Sequence, residues 1–374
     1  MNKLRLSTLV CCLVLASAPG TARELTVVQV APLSGPLAAT GRDLMLGARA
    51  CLEEVNRQGG AGGHTLRLLT RDDGYRADET VRQAREALSR EQPIAFLGLV
   101  GTGNLQALQQ DGLLAAAGIP LVGVRTGARS LRVPGSPLVF HLRASYDDET
   151  AQIVDTATTM GLQRFAVFYQ NDPFGREGLA GVEAALARHG LQPAALASYE
   201  KNSTEVGAAA ATLARVDPQG VIMISNTLAS AAFVKAMRGA GYAGQLMGVS
   251  VNDAAQIVDR IGVAAARGLV LAQVLPSPGR REIPLVRGAA RALAAAGETR
   301  LSYTMLEGCL YARTLAEGVR RAGRAPDRAA LVAALETLRG WDAGGISVDF
   351  SGGRREGSRF VDLSIVGRDG QLLH

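Results

Sequence analysis

LTVVQV (residues 25–30), APLSGPLAATG (31–41), DLMLGARACLEEVNRQGG (43–60) and TLRLLTRDDG (65–74) follow one another near the N-terminus. The first and last are short apolar runs rich in Val, Leu and Thr, which read as strands. Between them, Ala48, Cys51, Leu52 and Val55 share the apolar face of an amphipathic helix. The unit is therefore β-α-β, and its first loop is rich in Ser, Thr and Gly. Further strands are expected at 94–99 and 121–124, each followed by a helical pattern or turn, which is the period of a doubly wound parallel sheet. From about Arg143 a second α/β series begins, with strands at 164–169, 192–198, 220–225 and 245–249. After Leu275 the order breaks into helices near 285–296, 304–323 and 327–338, then strand-rich stretches at 347–350 and 358–366. A tail of that kind completes both lobes and implies three chain crossings, near Arg143, Leu275 and Gly340. The expected division is a signal segment at 1–22, one lobe from 23–142 plus 275–339, and a second from 143–274 plus 340–374.

The N-terminus reads as a cleaved export signal. Lys3 and Arg5 precede an apolar run at 6–18, shorter than the roughly 20 residues that cross a bilayer. Gly20 and Ala22 give a small-x-small pattern, so cleavage is expected after Ala22. Val10 is too bulky for Cys11 to be a lipidation site. Some 350 residues remain, more than one core usually supports, in agreement with two lobes. The net charge of +6 arises from Lys and Arg scattered among Asp and Glu, a solvated surface without the basic block of a nucleic-acid binder. Beyond the signal only Cys51 and Cys309 remain. An oxidising compartment permits a disulfide between them, and two separate buried thiols are the alternative.

Catalytic motifs are missing from the chain. Its histidines, at 64, 141, 189 and 374, lack metal spacing. Neither GxSxG nor GxxxxGK occurs, and GLVGTGN at 98–104 lacks the spacing of a dinucleotide fingerprint. No catalytic residue, metal or cofactor is expected.

The segments VAPLSGPLAATG (30–41), GARACLEEVNRQGG (47–60), LRLLTRDDG (66–74), GIPLVGVRTGA (118–128), YQNDPFGREGL (169–179), GYAGQLMG (241–248) and SYTMLEGCLYARTL (302–315), in that order, resemble the periplasmic binding proteins of branched-chain amino acid ABC transporters. The resemblance implies a type I periplasmic binding fold, two doubly wound α/β lobes joined by three crossovers with a ligand cleft between them. It also implies a periplasmic, monomeric receptor that closes on a small solute and delivers it to an ABC permease in the inner membrane. A ligand sensor of the same fold, acting with a separate receptor, is the alternative.

Carried over position by position, the resemblance puts the solute carboxylate at Thr102 and Gly103, and at Thr126 and Gly127 of the next loop, where the guanidinium of Arg125 is unexpected and reads either as a clamp on the solute or as a solvated or interlobe ion-pairing arginine. Thr40 takes the place of an aromatic over the solute. Phe174 would pack on the solute from the other lobe, with Thr227 nearby. Where amino-acid binders of this family place a carboxylate for the solute's ammonium, this chain has Ser250, unless Asp253 reaches inward. Tyr303 and Glu307 are read as core or hinge packing. The departure at Ser250 and the presence of Arg125 favour an organic or aromatic acid, while the resemblance itself favours a branched-chain amino acid.

Overall fold

The computed structural model describes residues 22–374, so the export segment expected at 1–22 lies outside it apart from Ala22. The first series comprises β1 (Glu24–Ala31), α1 (Ala38–Arg57), β2 (Thr65–Asp72), α2 (Ala77–Arg90), β3 (Ala95–Val100), α3 (Thr102–Asp111), α4 (Leu113–Ala117), β4 (Leu121–Arg125) and β5 (Val139–Phe140). The second comprises α5 (Tyr146–Thr159), β6 (Phe165–Gln170), α6 (Pro173–Arg188), β7 (Ala195–Tyr199), α7 (Gly207–Val216), β8 (Gly220–Ile224), α8 (Thr227–Gly239), β9 (Gln245–Gly248), α9 (Ala254–Ile261), α10 (Val263–Ala266) and β10 (Val270–Gln273). The tail supplies α11 (Pro284–Ala295), α12 (Tyr303–Ala322), α13 (Arg328–Glu336), β11 (Trp341–Asp342), β12 (Ser347–Val348), β13 (Asp362–Val366) and β14 (Leu372–Leu373).

Local chemistry sets the helix starts. Ser145 and Asp148 form a reciprocal capping box at the start of α5. Asp172 caps α6 ahead of Pro173, whose missing N–H costs nothing at a first helical position. Asn226, Asp253, Ser302 and Asp327 cap α8, α9, α12 and α13 in the same way.

The strands form two main sheets. One is parallel in the order β2-β1-β3-β4-β5. In the other, β7-β6-β8-β9-β10 are parallel and β13 and β14 extend the β10 edge antiparallel. The fully buried strands β3 and β8 are continuous apolar runs, as strands covered on both faces should be, and β4 is apolar up to its last residue, Arg125. The small β11–β12 hairpin departs from expectation. Residues 340–374 read as second-lobe sequence, yet Trp341, Val348 and Phe350 pack in the apolar cluster of α11 and α12. The Phe350 ring meets Phe140 edge-on with centroids 5.0 Å apart. The chain thus remains with the first sheet until about Phe350, because this apolar hairpin covers that core, and rejoins the second sheet at β13.

Helices α1 and α12 pack closely along that first core. A side chain at Gly47 would strike the Met305 backbone, and one at Gly308 the Leu44 carbonyl. This approach brings Cys51 and Cys309 to a Cα separation of 5.3 Å, and they are bonded as a disulfide.

The first and third crossings pair with each other: the His141 N–H donates to the Arg355 carbonyl at 2.8 Å, and the Gly357 N–H to the His141 carbonyl at 2.8 Å. The His141 ring is buried, and burial first, then the nearby Arg132 charge, holds its pKa well below 6.5. The unfolded chain gains a proton near pH 6.5 that the folded chain refuses. Stability from this residue is therefore complete above about pH 6.5 and declines below it by up to about 1.4 kcal/mol per pH unit until the folded pKa is reached. Denaturant midpoints of wild type and His141→Asn between pH 7.5 and 5 are expected to differ by that slope, and parallel pH profiles would refute it.

Candidate functional site

Each parallel sheet changes strand order at one point, between β1 and β3 in the first and between β6 and β8 in the second. Loops diverge at the carboxyl ends of such strands and leave a crevice, the favoured place for a ligand in open α/β sheets. Here the two crevices face each other. A cavity is lined by Leu37 and Thr40 beyond β1, Val100 at the end of β3 with Gly101 and Thr102 after it, Phe174 beyond β6 and Asn226 beyond β8. Tyr75, Arg125, Tyr146 and Val251 complete its wall. The Tyr146 and Phe174 rings lie 5.3 Å apart at a tilt, and both are buried. Gly101 makes the bend from β3 into α3 at φ 106°, where a side chain would run into the Tyr75 ring.

Behind this cavity is a buried cluster of charges. Glu307 of α12 accepts from Arg125 at the end of β4, from Arg143 at 3.2 Å and from Tyr311 at 2.5 Å. Arg143 also pairs with Glu149 of α5 at 3.5 Å and donates to the Ser250 hydroxyl. The Ser250 N–H donates to Glu149 at 2.7 Å, and its carbonyl accepts from Arg125 at 3.2 Å. Burial disfavours the Glu307 charge, but Arg143 and Arg125 outweigh it and hold the carboxyl below its ordinary range. Burial wins at Glu149, whose pKa is raised despite Arg143. The cluster ties β4 and α12 of the first lobe to α5 and the β9–α9 loop of the second.

A second link crosses the lobes at the cavity rim. Lys201, in the loop after β7, stands over the Tyr75 ring with Nζ 4.0 Å from its centroid and donates to Asn104 of α3 at 3.3 Å. Burial lowers the Lys201 pKa against the pull of Asp172 and Asp73.

Of the residues expected from sequence, Thr40, Thr102, Arg125 and Phe174 line the cavity. Thr126 stands behind Thr102, the two hydroxyls 2.6 Å apart. Gly103 faces Pro173 across the lobe boundary, and Gly127 lets its carbonyl take the Tyr146 N–H at 2.8 Å. Gly103, Thr126 and Gly127 are thus beside the wall and not in it, and two further expected contacts, Thr227 and Ser250, are absent from it as well. Thr227 is occupied by the Asp253 N–H at 3.0 Å, and its neighbour Asn226 lines the cavity instead. Ser250 is taken up by the charge cluster, and Val251 replaces it. Asp253 does not turn inward, because its carboxylate caps α9 at the Gln256 N–H. Sequence reasoning missed Tyr75 and Tyr146; the aromatic type was the only available signal, and nothing local distinguishes them from core rings. Glu307, read as core or hinge packing, is the centre of the charge cluster.

The family described as periplasmic binding protein matches residues 24–366. The crystal structure of a substrate-binding periplasmic protein from Ralstonia solanacearum is 40% identical and superposes with a TM-score of 0.90, covering 93% of this chain and 99% of that one. An extracellular ligand-binding receptor from Verminephrobacter eiseniae is 33% identical with a TM-score of 0.88, covering 94% of this chain and 100% of that one. Among curated relatives, Leu/Ile/Val-binding protein homolog 7 of Brucella suis is 25% identical over 251 residues, 65% of this chain and 62% of that protein's own length. The match along most of the sequence, the two facing switch points and the three crossings agree, and the chain belongs to the periplasmic binding protein family with the type I fold.

Proposed function

We propose that this protein is the extracytoplasmic solute receptor of an ABC importer. It captures a small carboxylate-bearing solute, an amino acid or an organic or aromatic acid, and closes on it by hinge bending at the crossovers. In this reading it is exported to the periplasm, acts as a monomer and hands its solute to an inner-membrane permease. The observation that carries the proposal is a cavity with walls from both lobes, because a solute touching both favours the closed arrangement over the open one. The anion site of this reading comprises Thr102 and Thr126 at the start of α3 and the end of β4, with Gly103 and Gly127 beside them. Phe174 covers the solute from the second lobe.

A thermal-shift screen of the mature protein against amino acids, aliphatic amides, dicarboxylates and aromatic acids tests this proposal. A ligand at about 100 times its dissociation constant adds about 2.7 kcal/mol of stability. Thr102→Ala and Phe174→Ala are each expected to weaken binding by about 1 to 3 kcal/mol, through a lost hydrogen bond to a charged group and lost apolar burial. Unchanged affinity in both variants, measured by calorimetry, would place the solute elsewhere.

A further inference from the structure

Resting on the receptor reading above, we infer that the solute is a carboxylate with an apolar or aromatic body and no ammonium group, and that Arg125 selects it. The cavity wall has one charged residue, Arg125, and no acidic one. The nearby carboxylates are already committed. Glu307 serves Arg125, Arg143 and Tyr311, while Glu149 serves Arg143 and the Ser250 N–H. Asp253 caps α9, and Asp172 caps α6 and accepts from Gln170. An ammonium entering this cavity would lose its water without gaining a counter-charge, which is costly.

The donors point the other way. Two nitrogens of the Arg125 guanidinium are used, one by Glu307 and one by the Ser250 carbonyl. Its Nε is buried and has no acceptor. A buried N–H without an acceptor is expensive, and a carboxylate oxygen would satisfy it with a charge-assisted bond. Thr102 can serve the second oxygen. Thr126 already accepts the Ala128 N–H at 3.2 Å and can donate to Thr102 at 2.6 Å, which frees the Thr102 proton for the solute. The rest of the wall is dominated by Leu37, Val100, Val251 and the rings of Tyr75, Tyr146 and Phe174. These suit a hydrocarbon or aromatic body.

Calorimetry with matched probes tests the assignment: 3-phenylpropanoate against phenylalanine, 4-methylpentanoate against leucine, and 3-phenylpropanamide as the uncharged control. At least one acid is expected to bind about 100-fold or more tighter than its ammonium-bearing partner and than the amide. Arg125→Lys keeps a cation for Glu307 but removes Nε, and it is expected to weaken the acid about 10-fold or more while the protein still melts cooperatively. Should that variant fail to fold, Val251→Glu, which adds a like charge to the wall without touching the arginine pair, is expected to weaken the acid by a similar factor. Equal or tighter binding of leucine or phenylalanine overturns the inference and leaves the receptor reading intact. An amide as tight as the acid, undiminished acid binding in the variants, or no binding by either acid also overturns it. In the last case the receptor reading is judged separately, by the broad thermal-shift screen.

Discussion

Glu307→Gln is expected to lower the free energy of unfolding by about 3 to 5 kcal/mol, the cost of leaving a buried charge without its partner. The carboxylate accepts from two guanidinium groups and the Tyr311 hydroxyl. A glutamine offers one acceptor oxygen and turns an NH2 group toward a cation. Arg125, Arg143 and Glu307 are all almost completely buried, so water cannot take over the lost role. The denaturant midpoint, compared at constant slope, measures the loss. Arg125→Met combined with Glu307→Leu is expected to cost less than the sum of the two single changes, because contacting residues are not additive. Strict additivity would show that the pair is not coupled.

Removing the disulfide is expected to have a comparable effect. Cys51 and Cys309 close a loop with a sequence separation of 258, and a crosslink across so long a loop removes much freedom from the unfolded chain, for about 3 to 5 kcal/mol. The doubly substituted Cys51→Ala, Cys309→Ala protein should melt at a lower temperature than the oxidised wild type. Reductant should lower the wild type toward it and leave the variant unmoved. A wild type whose thiols are shown to be free by labelling, yet whose melting point is unchanged, would refute the expectation.

The alternation of strands and helices was legible because period and turn chemistry are local. Strand β1 and helix α1 fall where LTVVQV and the amphipathic stretch put them, although α1 starts five residues before Asp43, at Ala38. The hairpin at Trp341 was misassigned to the second lobe because its partners, Phe140 and Leu285, are distant in sequence. Thr40, Thr102 and Phe174 were reachable only through the family resemblance, and Arg125 as a departure within one of its loops; all four lie at or just beyond strand ends, where open α/β sheets place ligands. The commitment of Ser250 to Arg143 and Glu149 was not legible, since it depends on three residues brought together by tertiary structure. The same holds for Glu307, whose value lies in two arginines supplied by β4 and the first crossing. The cysteine pair stayed open in the sequence because only the close approach of α1 and α12 decides it.

Lysine is scarce in this chain: beyond residue 22 it occurs only at 201 and 235. Lys235 is exposed on α8, whereas Lys201 is half-buried between Tyr75 and Asn104 on the opposite lobe. Separation of the lobes would uncover the second amine and leave the first as it was. The molecule thus carries a built-in footprint of its own opening and an internal standard for it, readable by amine acylation and mass spectrometry without any engineered label.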